Sequence, residues 1–328
     1  PWPTPARPSS SKSWRWVPQA EPYSEFEQYW PLALICHALA AIKSIVTNTS
    51  PTLAQALNQA HTLGLARIDA QLLLLHTLAR HDAGRAWLLA HDTDAMEEAA
   101  HAQFIALCQR RLAGEPVAYL TGRKEFYGLP LQVDARVLDP RPDTETLVDW
   151  ALEVIAPLTS PRVVDLGTGS GAIALALQSQ RADARVLAVD ASADALAVAQ
   201  ANAQRLGLPA RFQRSDWLQG VDGFFDAIIS NPPYIASADP HLAALTHEPL
   251  QALASGADGL EDIRTIVAQA PAHLQPGGWL LLEHGYDQAE AVQALLATQG
   301  FALVQSRNDL AGIARCSGGQ WPLAQTVK

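Results

Sequence analysis

The segment Val163-Val-Asp-Leu-Gly-Thr-Gly-Ser-Gly171 decides the fold class of this chain. Its apolar start is typical of a short buried strand, and the apolar residues 172–180 that follow predict a helix. The glycines between them allow a tight turn and let a ligand approach the backbone where a Cβ atom would obstruct it. Strand, glycine turn and helix in this order predict the first unit of a parallel sheet wrapped by helices.

The segments after this unit continue the alternation. Apolar runs predict strands at residues 185–190, 227–230 and 279–283, and helical patterns predict helices at 193–206 and 288–298. Because short loops connect these segments, we predict an α/β fold with a doubly wound, mostly parallel, Rossmann-like sheet. Such sheets bind their ligands at the carboxyl ends of the strands.

The residues before the sheet have a helical pattern instead. Apolar residues recur there at helical spacing in three stripes, which predict a small helical bundle that acts as a cap or docking domain. The stripes are Leu53, Ala56, Leu57 and Ala60, then Ile68, Leu72, Leu75 and Leu78, then Phe104, Leu107 and Leu112. Turn residues followed by apolar alternation predict a linking β-hairpin at about residues 119–140.

These patterns divide the chain into three parts. We predict a poorly ordered N-terminal extension over residues 1–50, a helical domain over 51–118 and a sheet domain over 119–328. The extension is crowded with Pro, Ser, Trp and acidic residues and has neither a helical nor a strand period. A length of 328 residues agrees with about two folded domains.

The charge balance bears on the class of partner. The chain has 23 Lys and Arg against 33 Asp and Glu, which gives a net charge of -10. Proteins that bind nucleic acid through its phosphates usually have a basic footprint. The composition therefore argues against a dedicated nucleic-acid binder, although it does not exclude a local basic patch.

Cysteine and histidine usage indicates neither disulfides nor metal. Cys36, Cys108 and Cys316 lie far apart without a CxxC pair, and the histidines form no HExxH motif. We expect a reducing, cytoplasmic location and no metal site. The apolar stretch at residues 32–42 is too short to span a bilayer, so we expect no membrane segment.

Three features predict a ligand that contains adenosine. The glycine turn has the spacing G-x-G-x-G, without the offset of the dinucleotide fingerprint or the lysine of a P-loop. Asp190 ends the second strand, near the offset at which a carboxylate binds ribose hydroxyls. Asp216 and Trp217 follow the third strand, where a carboxylate and an indole can flank an adenine. These features alone do not distinguish NAD from S-adenosylmethionine.

The segment Ser230-Asn-Pro-Pro-Tyr234 predicts the chemistry. Its two prolines cannot continue a strand ladder, and they restrict Asn231 and Pro232 to extended conformations. The resulting stiff bend presents the Asn231 side-chain oxygen and a backbone carbonyl beyond the strand end, with Tyr234 as a flat wall. Two acceptors beside an aromatic wall fit a planar –NH2 group, which is either an amide or the exocyclic amine of a base.

A planar nitrogen of this kind is a poor nucleophile because its lone pair is conjugated. Hydrogen bonds to both of its N–H groups hold it in line with a methyl donor and favour the positive charge that develops on it. Alignment alone can contribute up to roughly 7–11 kcal/mol. No His or Asp base is obviously required.

Together these residues resemble a known family. The glycine turn and the Asn-Pro-Pro-Tyr segment are similar to those of class I S-adenosylmethionine-dependent methyltransferases that act on planar amines. More narrowly, residues 51–321 resemble the peptide chain release factor glutamine methyltransferases. The further strings that carry the resemblance are Arg67-Ile-Asp-Ala-Gln-Leu-Leu-Leu, Glu115-Pro-Val-Ala-Tyr-Leu-Thr-Gly, Glu125-Phe-Tyr-Gly-Leu, Arg141-Pro-Asp-Thr-Glu, Glu248-Pro-Leu-Gln-Ala-Leu and Glu283-His-Gly. Asp143 is one departure, because many members have Glu there, and it casts little doubt on activity.

The resemblance implies the ligands and the site. The cofactor is S-adenosylmethionine, and the substrate is the Gly-Gly-Gln tip of class 1 release factors, methylated on the glutamine side-chain nitrogen. The helical domain then recognises the substrate, and the sheet domain is the methyltransferase. The implied cofactor contacts are Gly167, Thr168, Gly169, Ser170, Gly171, Asp190, Trp217 and Asn231. The implied glutamine contacts are Asn231, Pro232, Pro233 and Tyr234, of which Asn231 and Pro232 are catalytic. We also expect a monomer that binds no nucleic acid directly.

Three other functions compete with this one. A sister enzyme that modifies a ribosomal-protein glutamine is disfavoured, because the string from Arg141 to Glu145 resembles the release-factor branch. A nucleic-acid amine methyltransferase is disfavoured, because residues 216–248 contain no Lys or Arg. A termination factor is suggested by Ser317-Gly-Gly-Gln-Trp321, but we interpret this string as a terminal turn of the sheet domain.

Overall fold

The computed structural model describes residues 50–323, and the first part of this described segment is helical. The predicted extension over residues 1–50 lies outside the described residues, except for Ser50. In the described chain the first five helices are α1 (Leu53–Thr62), α2 (Arg67–Thr77), α3 (Arg85–Ala90), α4 (Glu98–Leu112) and α5 (Val117–Thr121). Within residues 50–323, no helix is both long enough and apolar enough to cross a membrane.

Helix α1 begins with a capping box. The Thr52 side chain accepts a hydrogen bond from the Gln55 backbone N–H, and the Gln55 side chain accepts one from the Thr52 N–H. This reciprocal pair satisfies two backbone donors that the first turn leaves free. The apolar stripe predicted for this helix is confirmed, because Leu53, Ala56 and Ala60 are buried in the bundle core.

The stripe predicted for helix α2 is confirmed at Leu75 and wrong at Ile68 and Leu72. Ile68 and Leu72 are 51% and 44% exposed, whereas Leu73 and Leu74 are fully buried. Four consecutive leucines at residues 72–75 offer more than one helical stripe, so contacts with α1 and α4 select the face that is buried. Leu112 is also exposed, because it is the last residue of α4.

A short hairpin connects the bundle to the sheet. Strands β1 (Arg123–Phe126) and β2 (Leu129–Gln132) pair antiparallel. Tyr127 and Gly128 form the two-residue turn with φ of 52° and 77°, a combination that matches the twist of the strands. The hairpin is shorter than the predicted 119–140, because residues 119–121 belong to α5 and no strand is assigned from 133 to 140.

The predicted doubly wound sheet is confirmed. Among the described residues, seven strands form one sheet in the order β5-β4-β3-β6-β7-β9-β8, in which β5, β4, β3, β6 and β7 are parallel. Strand β9 runs antiparallel between β7 and β8. The strands are β3 (Arg162–Leu166), β4 (Arg185–Asp190), β5 (Arg211–Arg214), β6 (Phe225–Ser230), β7 (Leu274–Glu283), β8 (Ala302–Asn308) and β9 (Ala314–Gln320).

Helices cover both faces of this sheet. They are α6 (Glu145–Ile155), α7 (Ala172–Gln180), α8 (Ala193–Leu206), α9 (Glu261–Gln269) and α10 (Ala289–Gln299). Residues of α6, α7 and α8 share one buried apolar cluster, and residues of α9 and α10 share another. The bounds predicted for β4, α7 and α8 are those that the structure shows. The division of the chain at residue 118 stays a prediction.

The Ser317-Gly-Gly-Gln string is not a terminal turn, which corrects the interpretation above. It lies in β9, and Gly318 pairs with Leu281 of β7. A Cβ atom on Gly318 would come within 2.6 Å of Leu281 Cδ2 and 2.9 Å of the Trp150 ring. The two glycines therefore let apolar side chains close over an inner strand, and the string is part of the sheet.

We predict that Gly318→Ala lowers the free energy of unfolding by about 1–3 kcal/mol, because the added methyl group overpacks this strand. Urea denaturation measures the change. Gly84→Ala is the matched control, because a Cβ atom there would meet nothing within 4 Å. Equal stability of the two variants would contradict the packing described for β9.

Candidate active site

The glycine turn closes the carboxyl end of β3. The Thr168 N–H donates to the Val189 carbonyl at 2.9 Å, which ties the turn to β4. Asp165, fully buried in β3, accepts hydrogen bonds from the Thr168 hydroxyl at 2.6 Å and the Ala174 N–H at 3.2 Å. Burial raises the pKa of Asp165 to about 7, and these two donors oppose the rise. Asp165 thus connects strand, turn and α7.

Asp190 at the end of β4 braces the same turn. Its Oδ2 accepts from the Gly169 N–H at 2.9 Å, and its Oδ1 accepts from the Ser192 N–H at 2.8 Å. Burial raises the pKa of Asp190, against the effect of these N–H groups. Each carboxylate oxygen can accept a second hydrogen bond. Asp190 can therefore shape the turn and bind a ligand hydroxyl at once.

Trp217 lies against the turn from the opposite side. Its backbone is left-handed, with φ of 50°, which is uncommon for a bulky residue. A Cβ atom on Gly167 would come within 3.3 Å of the Trp217 ring, a tight contact, and the φ of 68° at Gly167 also favours glycine. The indole and the turn together form one wall of a cavity.

This cavity has a volume of about 610 Å³, within the range of small-molecule sites. It brings together Gly167, Gly169, Asp190, Trp217, Asn231 and Pro233 from the predicted site. Thr168, Ser170 and Gly171 are buried beneath the turn instead. Lining residues that the sequence prediction missed include Arg136, Leu138, Ser192, Arg214 and Gln251. The lining fits an adenosine ligand, because it offers a carboxylate for ribose and an indole face for adenine.

Asn231 follows β6 at the centre of this edge. The Ser230 hydroxyl donates to the Leu166 carbonyl at 2.8 Å, which fixes the end of β6 beside β3. Asn231 Nδ2 donates to Thr144 Oγ1 at 3.1 Å. This bond occupies the donor end of the amide, so its Oδ1 is the end that can accept from a ligand.

The rest of the Asn-Pro-Pro-Tyr segment is held on both sides. The Tyr234 hydroxyl donates to Glu283 Oε1 at 3.4 Å, and the Tyr234 carbonyl accepts from Gln288 Nε2 at 3.0 Å. Gly259 makes this approach possible, because a Cβ atom there would lie 2.2 Å from the Tyr234 carbonyl oxygen. Burial raises the pKa of the Tyr234 hydroxyl, with Glu283 adding to the effect, so the hydroxyl stays protonated.

A second, smaller cavity of about 130 Å³ adjoins the large one. The two share Leu138, Asn231 and Ala252, and Tyr234 lines only the smaller. Its volume is that of about four waters, which is enough for a short planar side chain. Asn231 therefore lies where the two cavities meet.

A third cavity of about 880 Å³ lies between the bundle, the hairpin and the loop residues 139–142 and 244–248. It shares Arg141 and Leu245 with the small cavity, and Leu72 of α2 contributes to its lining. The three cavities thus adjoin in sequence, from the bundle to Asn231 to the glycine turn.

Among the described residues, five arginines and Lys124, all from outside residues 216–248, line the three cavities. Three of these arginines are Arg136, Arg141 and Arg214. Arg136 is paired with Asp134 at 2.6 Å, and Arg141 with Glu248 at 2.5 Å. Arg214 donates to the Ala191 carbonyl at 2.9 Å. The sequence prediction assumed that a segment without Lys and Arg leaves the site without basic side chains. That assumption is wrong, because arginines from other segments line the cavities. Arg136, Arg141 and Arg214 are nonetheless engaged by partners within the protein.

Comparison with known families agrees with this geometry. Residues 52–122 match the family model described as PrmC N-terminal domain, and residues 144–298 match the one described as Methyltransferase small domain.

Curated relatives named release factor glutamine methyltransferase match most of the chain. The relative from Bordetella pertussis is 51% identical over 78% of this chain and 95% of its own length. The relative from Burkholderia pseudomallei is 49% identical over 84% of this chain and all of its own length. The relative from Pseudomonas aeruginosa is 48% identical over 78% of this chain and 93% of its own length.

The sheet, the glycine turn and the methyltransferase match define a class I methyltransferase fold, and its cofactor is S-adenosylmethionine. One family model matches the bundle, and the other matches most of the sheet that follows it. The chain is also about 50% identical to release factor glutamine methyltransferases and aligns with almost their whole length. The chain therefore belongs to the release factor glutamine methyltransferase family.

Proposed function

We propose that this protein transfers a methyl group from S-adenosylmethionine to the side-chain amide nitrogen of the glutamine in the Gly-Gly-Gln motif of class 1 release factors. The observation that carries the proposal is the position of Asn231, at the junction of the small and the large cavity, with its amide NH2 already bound to Thr144. The names of the relatives support the same substrate.

The large cavity binds the cofactor in this proposal. Bound S-adenosylmethionine supplies an electrophilic methyl group on a sulfonium. Asp190 accepts hydrogen bonds from the ribose hydroxyls, and the Trp217 ring packs against the adenine. The full set of cofactor residues that we propose is Gly167, Thr168, Gly169, Ser170, Gly171, Asp190, Trp217 and Asn231. Thr168, Ser170 and Gly171 contribute by supporting the turn from beneath.

The small cavity binds the glutamine side chain. Asn231 Oδ1 and the Pro232 carbonyl accept the two amide N–H bonds, and Pro233 and Tyr234 line the path of the planar group. These acceptors would hold the nitrogen toward the cofactor cavity and stabilise the positive charge that grows on it as the C–N bond forms and the methyl C–S bond breaks, with S-adenosylhomocysteine as the leaving group. One amide proton then leaves the nitrogen to solvent, so the product is the neutral N-methyl amide.

The bundle holds the remainder of the release factor. The exposed Leu72 and the third cavity, of about 880 Å³, support this role, because a partner's apolar and polar groups can both be accommodated there. Two glycines before the glutamine leave no side chains to block a narrow passage. The monomeric state, the cytoplasmic location and the absence of direct nucleic-acid binding remain predictions.

A methyl-transfer assay tests the substrate. We expect purified protein with labelled S-adenosylmethionine to label a class 1 release factor, because its glutamine fits the small cavity. A release factor whose Gly-Gly-Gln glutamine is changed to alanine should stay unlabelled. Label that survives this change, or that appears only on ribosomal protein or RNA, would overturn the assignment.

Asn231→Ala should remove most turnover while the fold remains intact. Loss of one preorganised polar partner of the reacting group typically lowers kcat by about 10²–10³-fold. Steady-state kinetics measures the loss, and an unchanged melting temperature shows that the variant is folded. Wild-type turnover in this variant would remove Asn231 from the reaction.

Asp190→Asn should weaken cofactor binding by about tenfold or more, since hydrogen bonds to a charged acceptor contribute about 1.5–3 kcal/mol each. Isothermal titration calorimetry with S-adenosylmethionine gives the dissociation constant. Asp194→Asn is the matched control, because Asp194 lines the same cavity from an exposed position in α8. If the two variants bind equally well, Asp190 does not hold the ribose.

A further inference from the structure

The direction of the Asn231 amide is a problem that the site must solve. The two ends of an asparagine amide have nearly the same shape, but only the oxygen accepts hydrogen bonds. With Nδ2 toward the substrate, an NH2 group would face another NH2 group, and neither could accept. Productive binding therefore requires that some part of the protein fix which end of Asn231 faces the small cavity.

Thr144 is the residue that contacts the donor end. It is the last residue of the 3₁₀ turn Pro142–Thr144 that precedes α6, and it is only 4% exposed. Its Oγ1 lies 3.1 Å from Asn231 Nδ2. A hydroxyl can both donate and accept, however, so Thr144 alone would tolerate either orientation of the amide. Its own proton needs a fixed acceptor.

Glu283 provides that acceptor. Ser230 of β6 pairs with Leu282 of β7. Asn231, the residue after Ser230, and Glu283, the residue after Leu282, therefore lie side by side at the ends of two neighbouring strands. Glu283 is 1% exposed, and among the described residues its Oε2 has no hydrogen-bond partner. The Thr144 hydroxyl lies near enough to this carboxyl group to oppose the rise in its pKa, so the free Oε2 is an acceptor that the Thr144 proton can reach.

We propose that Thr144 and Glu283 are positioning residues that hold Asn231 with Oδ1 toward the substrate amide. Thr144 gives its proton to the Glu283 carboxylate and is thereby left to accept from Asn231 Nδ2. The inference rests on the proposed function, since it concerns how the same site receives a planar –NH2 group. Neither residue touches the substrate; both act through Asn231.

The charge of Glu283 sets the direction of this chain of hydrogen bonds. Burial raises the pKa of Glu283 to about 7, and Asp143 adds to the rise, whereas Thr144, Arg315 and Tyr234 oppose it. The titratable or charged groups that face Glu283 from other elements are Asp143, Tyr234, Arg315 and Cys316. Only the ionised carboxylate is purely an acceptor, so kcat should rise as the pH increases through about 7.

Thr144→Val tests the role of the hydroxyl, because valine has nearly the same shape. We expect kcat to fall on the order of tenfold to a hundredfold, by analogy with the loss of a residue that orients a metal ligand. The KM for release factor, the melting temperature and the affinity for S-adenosylhomocysteine should change little. Thr144→Ser retains the hydroxyl and should keep most of the turnover.

Glu283→Gln tests the carboxylate independently. Its amide NH2 can donate to Thr144 Oγ1 and so compete with Asn231, and we expect a similar fall in kcat together with loss of the rise near pH 7. In an Asn231→Ala background, Thr144→Val should cause no further loss, because Thr144 acts only through Asn231.

The outcomes separate this inference from the proposed function. If wild-type protein does not methylate release factor, the proposed function is wrong, and this inference is wrong with it. If wild-type protein is active but Thr144→Val has wild-type kcat, the inference alone is overturned. It is also overturned if Thr144→Ser loses as much turnover as Thr144→Val, or if Thr144→Val lowers kcat equally in the Asn231→Ala background.

Discussion

The register of β3, β6 and β7 is the constraint on which the site depends. Leu166 pairs with Ser230, and Ser230 pairs with Leu282, so these three parallel strands end at the same level. The glycine turn follows β3, Asn231 follows β6, and Glu283 is the last residue of β7. A shift of one residue in β6 would turn its side chains to the opposite face and remove Asn231 from the cavity edge. The Ser230 hydroxyl, bound to the Leu166 carbonyl, secures this register at its last position.

Buried carboxyl groups at this edge serve the site rather than stability. Asp165 and Glu283 are almost completely buried, and burial raises the pKa of each to about 7. Burying an acid is costly, and the hydrogen bonds that each accepts offset this cost only in part, since the pKa of each stays raised. Asp165 instead fixes the turn to α7, and Glu283 faces Thr144 and Tyr234. Each acid is thus placed to orient neighbouring groups of the site.

The parts of the fold that the sequence predicts well depend on local pattern. The unit from β3 through α7 has an apolar strand, three glycines and an apolar helix within a single stretch, and no tertiary contact is needed to interpret it. The bend at Asn231 is equally local, because proline restricts itself and the residue before it. These two segments contain most of the candidate site.

The features that the sequence does not predict depend on tertiary contacts. The face that α2 buries is selected by α1 and α4, because consecutive leucines have no single helical phase. The sequence Gly318-Gly319 is typical of a turn, but in the structure Trp150 and Phe301 pack over these two glycines. Thr144 stands 87 residues before Asn231 in the chain, so only the folded sheet reveals their contact. Arg136 and Arg214 reach the cavity for the same reason.

The most direct measurement is a crystal structure of the protein with S-adenosylhomocysteine and a release factor that carries the Gly-Gly-Gln motif. We predict that the glutamine side-chain nitrogen lies in the small cavity, within about 2.7–3.2 Å of Asn231 Oδ1 and in line with the cofactor sulfur. We also predict that the ribose contacts Asp190. A glutamine bound elsewhere, or a nitrogen that faces Asn231 without approaching the sulfur, would show that Asn231 does not place the substrate for methyl transfer.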